Sequence, residues 1–136
     1  MRVIDYLKRI KELDDRINRN IRAAEKWRDM AFKITADPLE EHYNPNRPTS
    51  APFEKCLEKV DELEREITAD IDRLADLKFE ASEKISMLKD EQCQDVLRYK
   101  YIELMDWPNV IYNIGKSRSH VYRLHSKALS ELDKIL

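Results

Sequence analysis

Four basic side chains near the C-terminus form the part of this chain that is best suited to bind a ligand. Lys116, Arg118, Arg123 and Lys127 lie in a stretch, residues 115–128, that contains no acidic residue. Lysine and arginine pair with phosphate oxygens, and an arginine can also donate two hydrogen bonds to one guanine edge. The serines and the tyrosine between them add polar groups that reach bases or phosphates. The pattern therefore indicates contact with nucleic acid.

The histidines and cysteines do not have the spacing of a metal site or a catalytic centre. His42, His120 and His125 form no His-x-x-x-His pair, and Cys56 and Cys93 form no Cys-x-x-Cys pair. The sequence also lacks Glu-x-x-His, which a four-helix diiron site needs. Asp and Glu are numerous, but such side chains are mostly solvated on long helices. We therefore predict no metal, no cofactor and no enzymatic activity.

The composition is typical of a helical protein. The chain has 136 residues, of which 38% are charged and 42% hydrophobic, and its single glycine is Gly115. Hairpins and phosphate-binding loops need more glycine, because their turns use backbone conformations that other residues avoid. No apolar run is long enough to span a membrane, and no secretory signal is visible at the start. We predict an all-α protein with free thiols, located in the cytoplasm.

Two long amphipathic helices are predicted on either side of a proline-rich segment. Four of the five prolines fall in residues 36–52, which we predict to be a linker. Apolar residues recur every three or four positions through residues 1–35. They recur again through residues 53–89 at a mean spacing of 3.5, eight steps over 28 residues, which is the period of a coiled coil. Residues 90–136 then form a C-terminal domain.

The two predicted helices carry opposite charge. Residues 1–33 hold ten basic and six acidic side chains, whereas residues 54–89 hold seven basic and eleven acidic ones. Opposite charge favours laying the first helix along the second, and like charge opposes a parallel pairing of identical helices. We therefore predict a long antiparallel, coiled-coil-like hairpin. Because this pairing covers only one side of each helix, we also predict a homodimer through residues 1–89.

The C-terminal domain begins with a predicted helix from Asp90 to about Leu104. The acidic start of this helix complements the helix dipole. Cys93, Leu97 and Tyr101 fall on one side of it, and we predict that this side is buried.

The signals that follow are those of a helix-turn-helix. Pro108 is a natural first residue for a short helix that ends at about Ile114. Gly115 follows at the position of a left-handed helix end, and Ser117 can cap a longer helix over residues 118–135. A short helix, a glycine turn and a longer basic helix together form this motif.

The polar side chains of the last helix lie away from its apolar stripe, which begins at Val121 and Leu124. The N-terminal part of such a helix enters the major groove of DNA. We interpret Trp107 and His125 as packed residues, and a protein-binding module with a basic surface as the alternative to DNA binding. The residues expected to contact DNA are Lys116, Ser117, Arg118, Ser119, His120, Tyr122, Arg123, Ser126 and Lys127.

These segments resemble region four of bacterial sigma factors. The variant is closest to phage transcriptional regulators of the ArpU and late-transcription-regulator kind. The resemblance covers residues 88–132, implies a recognition helix from Ser117 to about Leu132, and places DNA contacts at Arg118, Ser119, Tyr122 and Arg123. The motifs that carry it are Leu97-Arg98-Tyr99-x-Tyr101-Ile102, Trp107-Pro108-x-Val110-Ile111, Ile114-Gly115-Lys116-Ser117, Val121-Tyr122-Arg123-Leu124-His125 and Ala128-Leu129-x-x-Leu132.

The motif and the resemblance together predict a sequence-specific, double-stranded DNA-binding transcriptional regulator. By resemblance it is encoded by a phage or prophage and acts at promoters. The alternative is a helical interaction or scaffold protein that binds RNA polymerase or another protein without reading a DNA sequence. A small terminase-like packaging subunit is a third hypothesis, although its DNA-binding and assembly parts would be in reversed order.

Overall fold

The chain is helical throughout the part that the structure describes. A computed structural model describes residues 2–36 and 50–136, and no β-strand occurs among them. The predicted all-α class is therefore confirmed. The α-helices are α1 (Val3–Ala36), α2 (Ser50–Ile85), α3 (Glu91–Leu97), α4 (Trp107–Ile114) and α5 (Arg118–Ile135), and a π-helix, Arg98–Ile102, directly follows α3.

The two long helices extend into the predicted linker. The sequence predicts a linker over residues 36–52, but Ala36 is the last residue of α1 and Ser50 is the first residue of α2. The prediction is wrong at both ends. Pro52 is compatible with a helix here because it lies in the first turn, where backbone N–H groups have no acceptor within the helix. The rest of the predicted linker, residues 37–49, lies outside the described residues.

One side of α1 is buried at a regular seven-residue interval. Val3, Ile10, Ile17, Ala24 and Ala31 are all buried. A seven-residue repeat keeps an apolar seam facing one neighbouring helix along its whole length. The predicted amphipathic side of the first helix is therefore confirmed at these positions.

Three residues assigned to the predicted apolar stripes lie at the edge of those stripes instead. Ile21, Trp27 and Ile71 are 38%, 39% and 48% exposed, respectively. On α2, Asp70 takes the inward position that the sequence assigns to Ile71, because Asp70 lies seven residues after the buried Leu63 and therefore shares its side of the helix. Apolarity alone favours the isoleucine, but the phase of the helix decides which side chain is buried.

Residues 15–72 form one compact unit, in which the second part of α1 packs against the first part of α2. Partner numbers fall along α2 as they rise along α1, so the two helices are antiparallel here, as predicted. The polar contacts that define this register are Arg16 with Asp70, Asn20 with Glu66 and Arg28 with Glu64.

Asp70 is the one charged side chain that is buried among the described residues. The guanidinium of Arg16 donates from Nε to Oδ2 at 2.7 Å and from Nη2 to Oδ1 at 2.5 Å. Two parallel charge-assisted hydrogen bonds are the arrangement in which a carboxylate tolerates removal from water. The pair therefore holds a charge inside an otherwise apolar seam.

The second compact unit contains Met1–Asp14 and Arg73–Leu136. Its core takes residues from the start of α1 and the end of α2 as well as from α3, the π-helix, α4 and α5. Near the start of α1, Lys84 Nζ lies 5.0 Å from the centre of the Tyr6 ring. Burial, with the carboxylate of Glu80, raises the pKa of Tyr6 to about 12. The most deeply buried side chains of this core are Leu7, Ile10, Ile85, Cys93, Val96, Leu97, Val110, Val121 and Leu132.

Both cysteines are free, as predicted, and both are buried, although the sequence predicts burial for Cys93 alone. The thiol of Cys93 donates a long hydrogen bond to the backbone carbonyl of Leu124, with 3.7 Å between sulfur and oxygen. Burial raises the pKa of Cys93 to about 11, so its thiolate is scarce at neutral pH. Cys93 is therefore a small core residue.

Replacing Arg16 by Met should destabilise the 15–72 unit, because Asp70 would lose its guanidinium while remaining buried. Weakening the hydrogen bonding of a buried carboxylate in this way costs about 1–3 kcal/mol of unfolding free energy. Urea titration followed by circular dichroism measures the change. Arg65→Met is the matched control, since Arg65 pairs with Asp61 at 2.5 Å on the exposed side of α2. Equal losses in the two variants would contradict a structural role for the buried pair.

Candidate nucleic-acid interface

The turn between α4 and α5 is built from local hydrogen bonds and one glycine. The carboxylate of Asp106 accepts from the backbone N–H of Asn109 at 3.2 Å and begins α4. Gly115 ends that helix with a φ of 75°, a left-handed conformation. The hydroxyl oxygen of Ser117 accepts from the backbone N–H of His120 at 3.2 Å and begins α5. The predicted glycine turn and serine cap are therefore confirmed.

The inner side of α5 anchors it to the core. Val121, Leu124, Ala128 and Leu132 are buried at spacings of three and four residues, and α5 packs against α3 and α4. This confirms the predicted stripe. Because these four residues determine which side of α5 is buried, they also determine which side is left for a ligand.

The outer side of α5 carries the predicted contact residues. Ser119 lies three residues before Tyr122 and four before Arg123, and Ser126 follows them at the same two spacings, so these four residues share one side of the helix. His120 is half-buried, and its Nε2 atom has no hydrogen-bond partner among the described residues. The predicted residues that are exposed are Lys116, Ser117, Arg118, Ser119, Tyr122, Arg123, Ser126 and Lys127.

Lys127 already has a partner within the chain. Its Nζ atom lies 3.4 Å from Oδ2 of Asp90, and Asp90 also caps α3 by accepting from the backbone N–H of Gln92 at 2.9 Å. The backbone hydrogen bond, helped by Lys127, lowers the pKa of Asp90, while the carboxylate raises the pKa of Lys127. A phosphate would compete with this carboxylate for Lys127, so the other basic residues are better placed to bind one.

An aromatic cluster holds the outer side of α5 in place. The Trp107 ring lies 5.0 Å from the ring of Tyr122 and 4.8 Å from the ring of His125, edge to face in both cases. The ring of Tyr101 stacks on His125, and a hydrogen bond of 2.7 Å joins the Tyr101 hydroxyl to Nε2 of His125. The predictions that Tyr101, Trp107 and His125 are packed residues are confirmed. Among the predicted DNA-contact residues, Tyr122 is the one that packs against this aromatic cluster.

Burial determines the charge state of the cluster. It raises the pKa of Tyr101 to about 12, so this hydroxyl keeps its proton. Burial, with the nearby positive charge of Lys100, lowers the pKa of His125 below its ordinary value of 6.5. The imidazole is therefore neutral at physiological pH, and protonation would place a cation among packed rings.

A π-helix replaces the last part of the helix predicted to begin at Asp90. The sequence predicts a regular helix from Asp90 to about Leu104, but α3 ends at Leu97 and Arg98–Ile102 is π-helical. The backbone N–H of Glu103 donates to the carbonyl of Arg98 at 2.8 Å, which is a five-residue step, and Leu104 has a φ of 58°. The prediction is wrong here because no glycine or proline marks the change.

The π-helix places Lys100 against the aromatic cluster. Its Nζ atom lies 4.9 Å from the centre of the Trp107 ring, a cation–π contact, and 3.4 Å from the backbone carbonyl of Met105. At the start of the same segment, Arg98 donates to Ser86 Oγ at 2.7 Å and so ties the π-helix to the residues just after α2. The widened turn therefore contributes both to the cluster and to the core below it.

Polar residues on α4 were not among the predicted contacts. Asn109, Tyr112 and Asn113 are exposed at spacings of three and four residues, and Tyr112 is 85% exposed. The side-chain amide of Asn113 donates to the carbonyl of Asn109 at 2.8 Å, which holds it along the helix. The signal in the sequence is weak here, because only Tyr112, two residues after the buried Val110, lies on the opposite side of the short helix.

Other kinds of site are not seen in the described parts of the chain. No three His, Cys, Asp or Glu side chains lie together as a metal site requires, within residues 2–36 and 50–136. No described helix combines the length and the apolar character needed to cross a membrane.

A family model described as "Protein of unknown function (DUF1492)" matches residues 53–133. The chain belongs to the DUF1492 family. The DUF1492 match begins inside α2 and ends inside α5, so it includes the turn, the aromatic cluster and the whole outer side of α5. No curated protein and no solved structure matches this DUF1492 chain.

We expect the stability of the protein to fall as the pH drops from about 7 to about 5. Since the folded state lowers the pKa of His125 below 6.5, the unfolded chain takes up the proton first and is favoured in acid. His125→Gln can still hydrogen-bond to Tyr101 but cannot titrate, and it should flatten this dependence. Denaturant titrations at several pH values measure it. An unchanged pH dependence in the variant would assign the effect to another group.

Replacing Gly115 by Ala should cost about 1–2 kcal/mol of unfolding free energy, because an L-residue is strained at positive φ. A β-carbon at this position would have no heavy atom within 4 Å outside the turn itself, so the loss comes from the backbone alone. Gly115→Asn should cost less, since asparagine tolerates the left-handed conformation better. Thermal unfolding of the three proteins decides, and equal losses for Ala and Asn would point to a cause other than φ.

Proposed function

We propose that this DUF1492 protein is a sequence-specific regulator of transcription that binds double-stranded DNA. In this proposal the N-terminal part of α5 enters the major groove, and the protein acts at a promoter. A phage or prophage origin follows from the resemblance to regulators that carry a domain like sigma region four. The chain performs no catalysis in this role and needs no cofactor.

The observation that carries the proposal is the composition of the outer side of α5. Ser119, Tyr122, Arg123 and Ser126 lie together there, and residues 115–128 contain no acid that would repel a phosphate. Arg123 is assigned to a base edge, because an arginine on the exposed side of a recognition helix can pair with guanine. Arg118 and Lys116, at the start of the helix, are assigned to phosphates.

The packing behind this side supports the same assignment. Tyr122 packs edge-to-face against Trp107, which restricts its ring, and the side chain stays 39% exposed. A rigid aromatic side chain loses little conformational entropy on binding, so it can position a neighbouring arginine at low cost. The net charge of −2 does not oppose DNA binding, since the local field at the contact side decides the encounter.

A protein partner such as RNA polymerase is the alternative for the same side of α5. A basic, hydroxyl-rich helix can also bind an acidic protein surface. Selection of bound duplexes from a random pool separates the two, because a regulator enriches a consensus sequence and a scaffold protein enriches none. The homodimer predicted from the sequence is compatible with either partner.

Arg123→Ala should weaken binding to the selected duplex by about 1–3 kcal/mol, a loss of roughly 5- to 150-fold in affinity, with little change in melting temperature. The matched control is Lys134→Ala, which removes one exposed positive charge at the far end of the same helix. Fluorescence anisotropy at physiological salt measures both. Equal affinity for Arg123→Ala and wild type would refute the assigned contact.

The salt dependence of the same titration separates DNA contact from protein contact. If the basic side neutralises about four to eight phosphates in a functional unit, log K should fall with log salt with a slope of roughly −0.9 per phosphate. Binding that does not respond to salt between about 50 and 200 mM would contradict the proposal.

A further inference from the structure

One edge of the 15–72 unit carries exposed apolar residues along both of its helices. Ile21 and Arg28 are seven residues apart on α1, and Leu57, Glu64 and Ile71 are seven apart on α2, so each set follows one side of its helix. The ion pair between Arg28 and Glu64 joins the two sets across the same edge of the helix pair. These five residues are called the Ile21–Ile71 face below.

The Ile21–Ile71 face is grooved as well as apolar. Its three apolar residues are between 38% and 48% exposed, and they lie at both ends of the central ion pair. Between the two helices lies an open groove of about 330 Å³, which is widened because the small Ala24 faces it from α1. The side chains that line the groove are Ile21, Ala24, Arg28, Glu64, Ile67 and Thr68.

The opposite edge of the same helix pair is closed by polar contacts. Arg16 pairs with Asp70 there, and the amide of Asn20 lies 3.4 Å from a carboxylate oxygen of Glu66. These polar groups satisfy each other, and Arg16 keeps about half of its side chain in contact with water while Asp70 is buried. Trp27 and Met30 continue this edge toward the end of α1 and are 39% and 47% exposed, but on α2 the exposed Leu57 and Ile71 belong to the Ile21–Ile71 face, which gains by excluding water.

The charges of the unit identify a partner with matching chemistry. Residues 15–36 carry six basic and three acidic side chains, whereas residues 50–72 carry three basic and eight acidic ones. A second copy that is turned about an axis parallel to the helices lays its own basic helix on the acidic helix of the first. Both new contacts then join helices of opposite charge. A copy turned about an axis perpendicular to the helices would instead lay α1 on α1 and α2 on α2, and so pair like charges.

The size of the face also suits a second copy. Twenty-two residues of α1 in this unit extend for about 33 Å, and two adjacent helices are about 20 Å wide. The resulting area is of the same order as the ~800 Å² per partner of a standard stable interface. Within the chain, the connecting residues 37–49 offer only Leu39 and Tyr43 as large apolar side chains.

We propose that a second copy of this chain packs on the Ile21–Ile71 face. Two 15–72 units then form a four-helix bundle in which α1 of each copy lies against α2 of the other. The ion pair of Arg28 and Glu64 lies at its centre, with apolar contacts on both sides. The inference does not depend on DNA binding, and its test contains no DNA.

The mass of the full-length protein in solution tests the proposal. Light scattering at about 10 µM should give twice the chain mass of 16.3 kDa for the wild type. The variant Ile21→Glu with Ile71→Glu should give the chain mass itself, with unchanged helix content by circular dichroism. The control Phe79→Glu replaces an exposed apolar residue outside the face and should remain dimeric.

Two results would overturn the proposal. A wild-type mass of 16.3 kDa would mean that no second copy packs on the face. A double variant that stays dimeric would place the interface elsewhere. If the double variant loses its helix content, Leu57→Lys at the other end of the face replaces it, with the same two criteria.

Cross-linking distinguishes the two ways of turning the second copy. Leu57 and Ile71 are 14 residues apart, about 21 Å along α2. In the proposed arrangement equivalent residues lie at the same level, so Leu57→Cys and Ile71→Cys should each cross-link to themselves through a short bismaleimide. The wild type is the control, since Cys56 and Cys93 are buried. Cross-linking only in a mixture of the two variants would overturn the charge-based arrangement.

Discussion

The need to bury one apolar side of α1 and α2 is the constraint on which the rest of this structure depends. Helices of this length bury nothing by themselves, and tertiary packing supplies most of their stability. In the 15–72 unit the two helices satisfy each other through an antiparallel seam. In the other unit, their remaining turns enter the same core as α3, α4 and α5. The helix-turn-helix is therefore one part of a larger core, and its stability depends on residues such as Leu7 and Ile85 that lie far from it in sequence.

The charged pair in the seam has a different physical role. Replacing a buried ion pair by apolar residues is often neutral or stabilising, so Asp70 and Arg16 add little to net stability. A buried charge that depends on hydrogen bonds from Arg16 does, however, penalise every register in which the two side chains fail to meet. The same pair makes one edge of the unit polar. Ile21, Leu57 and Ile71 lie on the other edge, in the Ile21–Ile71 face.

The side chains that position the outer side of α5 belong to other helices. Trp107 supports Tyr122, while Tyr101 and Lys100 of the π-helix pack around His125 and Trp107. A single widened turn thus brings a hydroxyl, a cation and two rings together. Positions that bear on a ligand often rest on a backbone irregularity of this kind, because it re-aims side chains that a regular helix would send elsewhere.

The features that the sequence by itself determined are the ones that depend on neighbours in the chain. The all-α class follows from composition, the buried side of α1 from its seven-residue repeat, and the left-handed turn from Gly115 followed by the cap at Ser117. These choices need only propensity, periodicity and local hydrogen bonds. The outer residues of α5 follow in the same way, because an apolar stripe on one side of a helix leaves the polar residues on the other.

The tertiary structure alone decided which residues break these local rules. The phase of α2 turns Asp70 inward in place of Ile71, and Arg16, 54 residues away, supplies the two hydrogen bonds that let the carboxylate stay there. The helix after Asp90 widens at Arg98, in a segment whose Tyr101 bonds to His125, 24 residues away, a contact that no local pattern encodes. In both cases the side chain meets a partner that is far away in the sequence, and such a contact becomes visible only when that partner is in place.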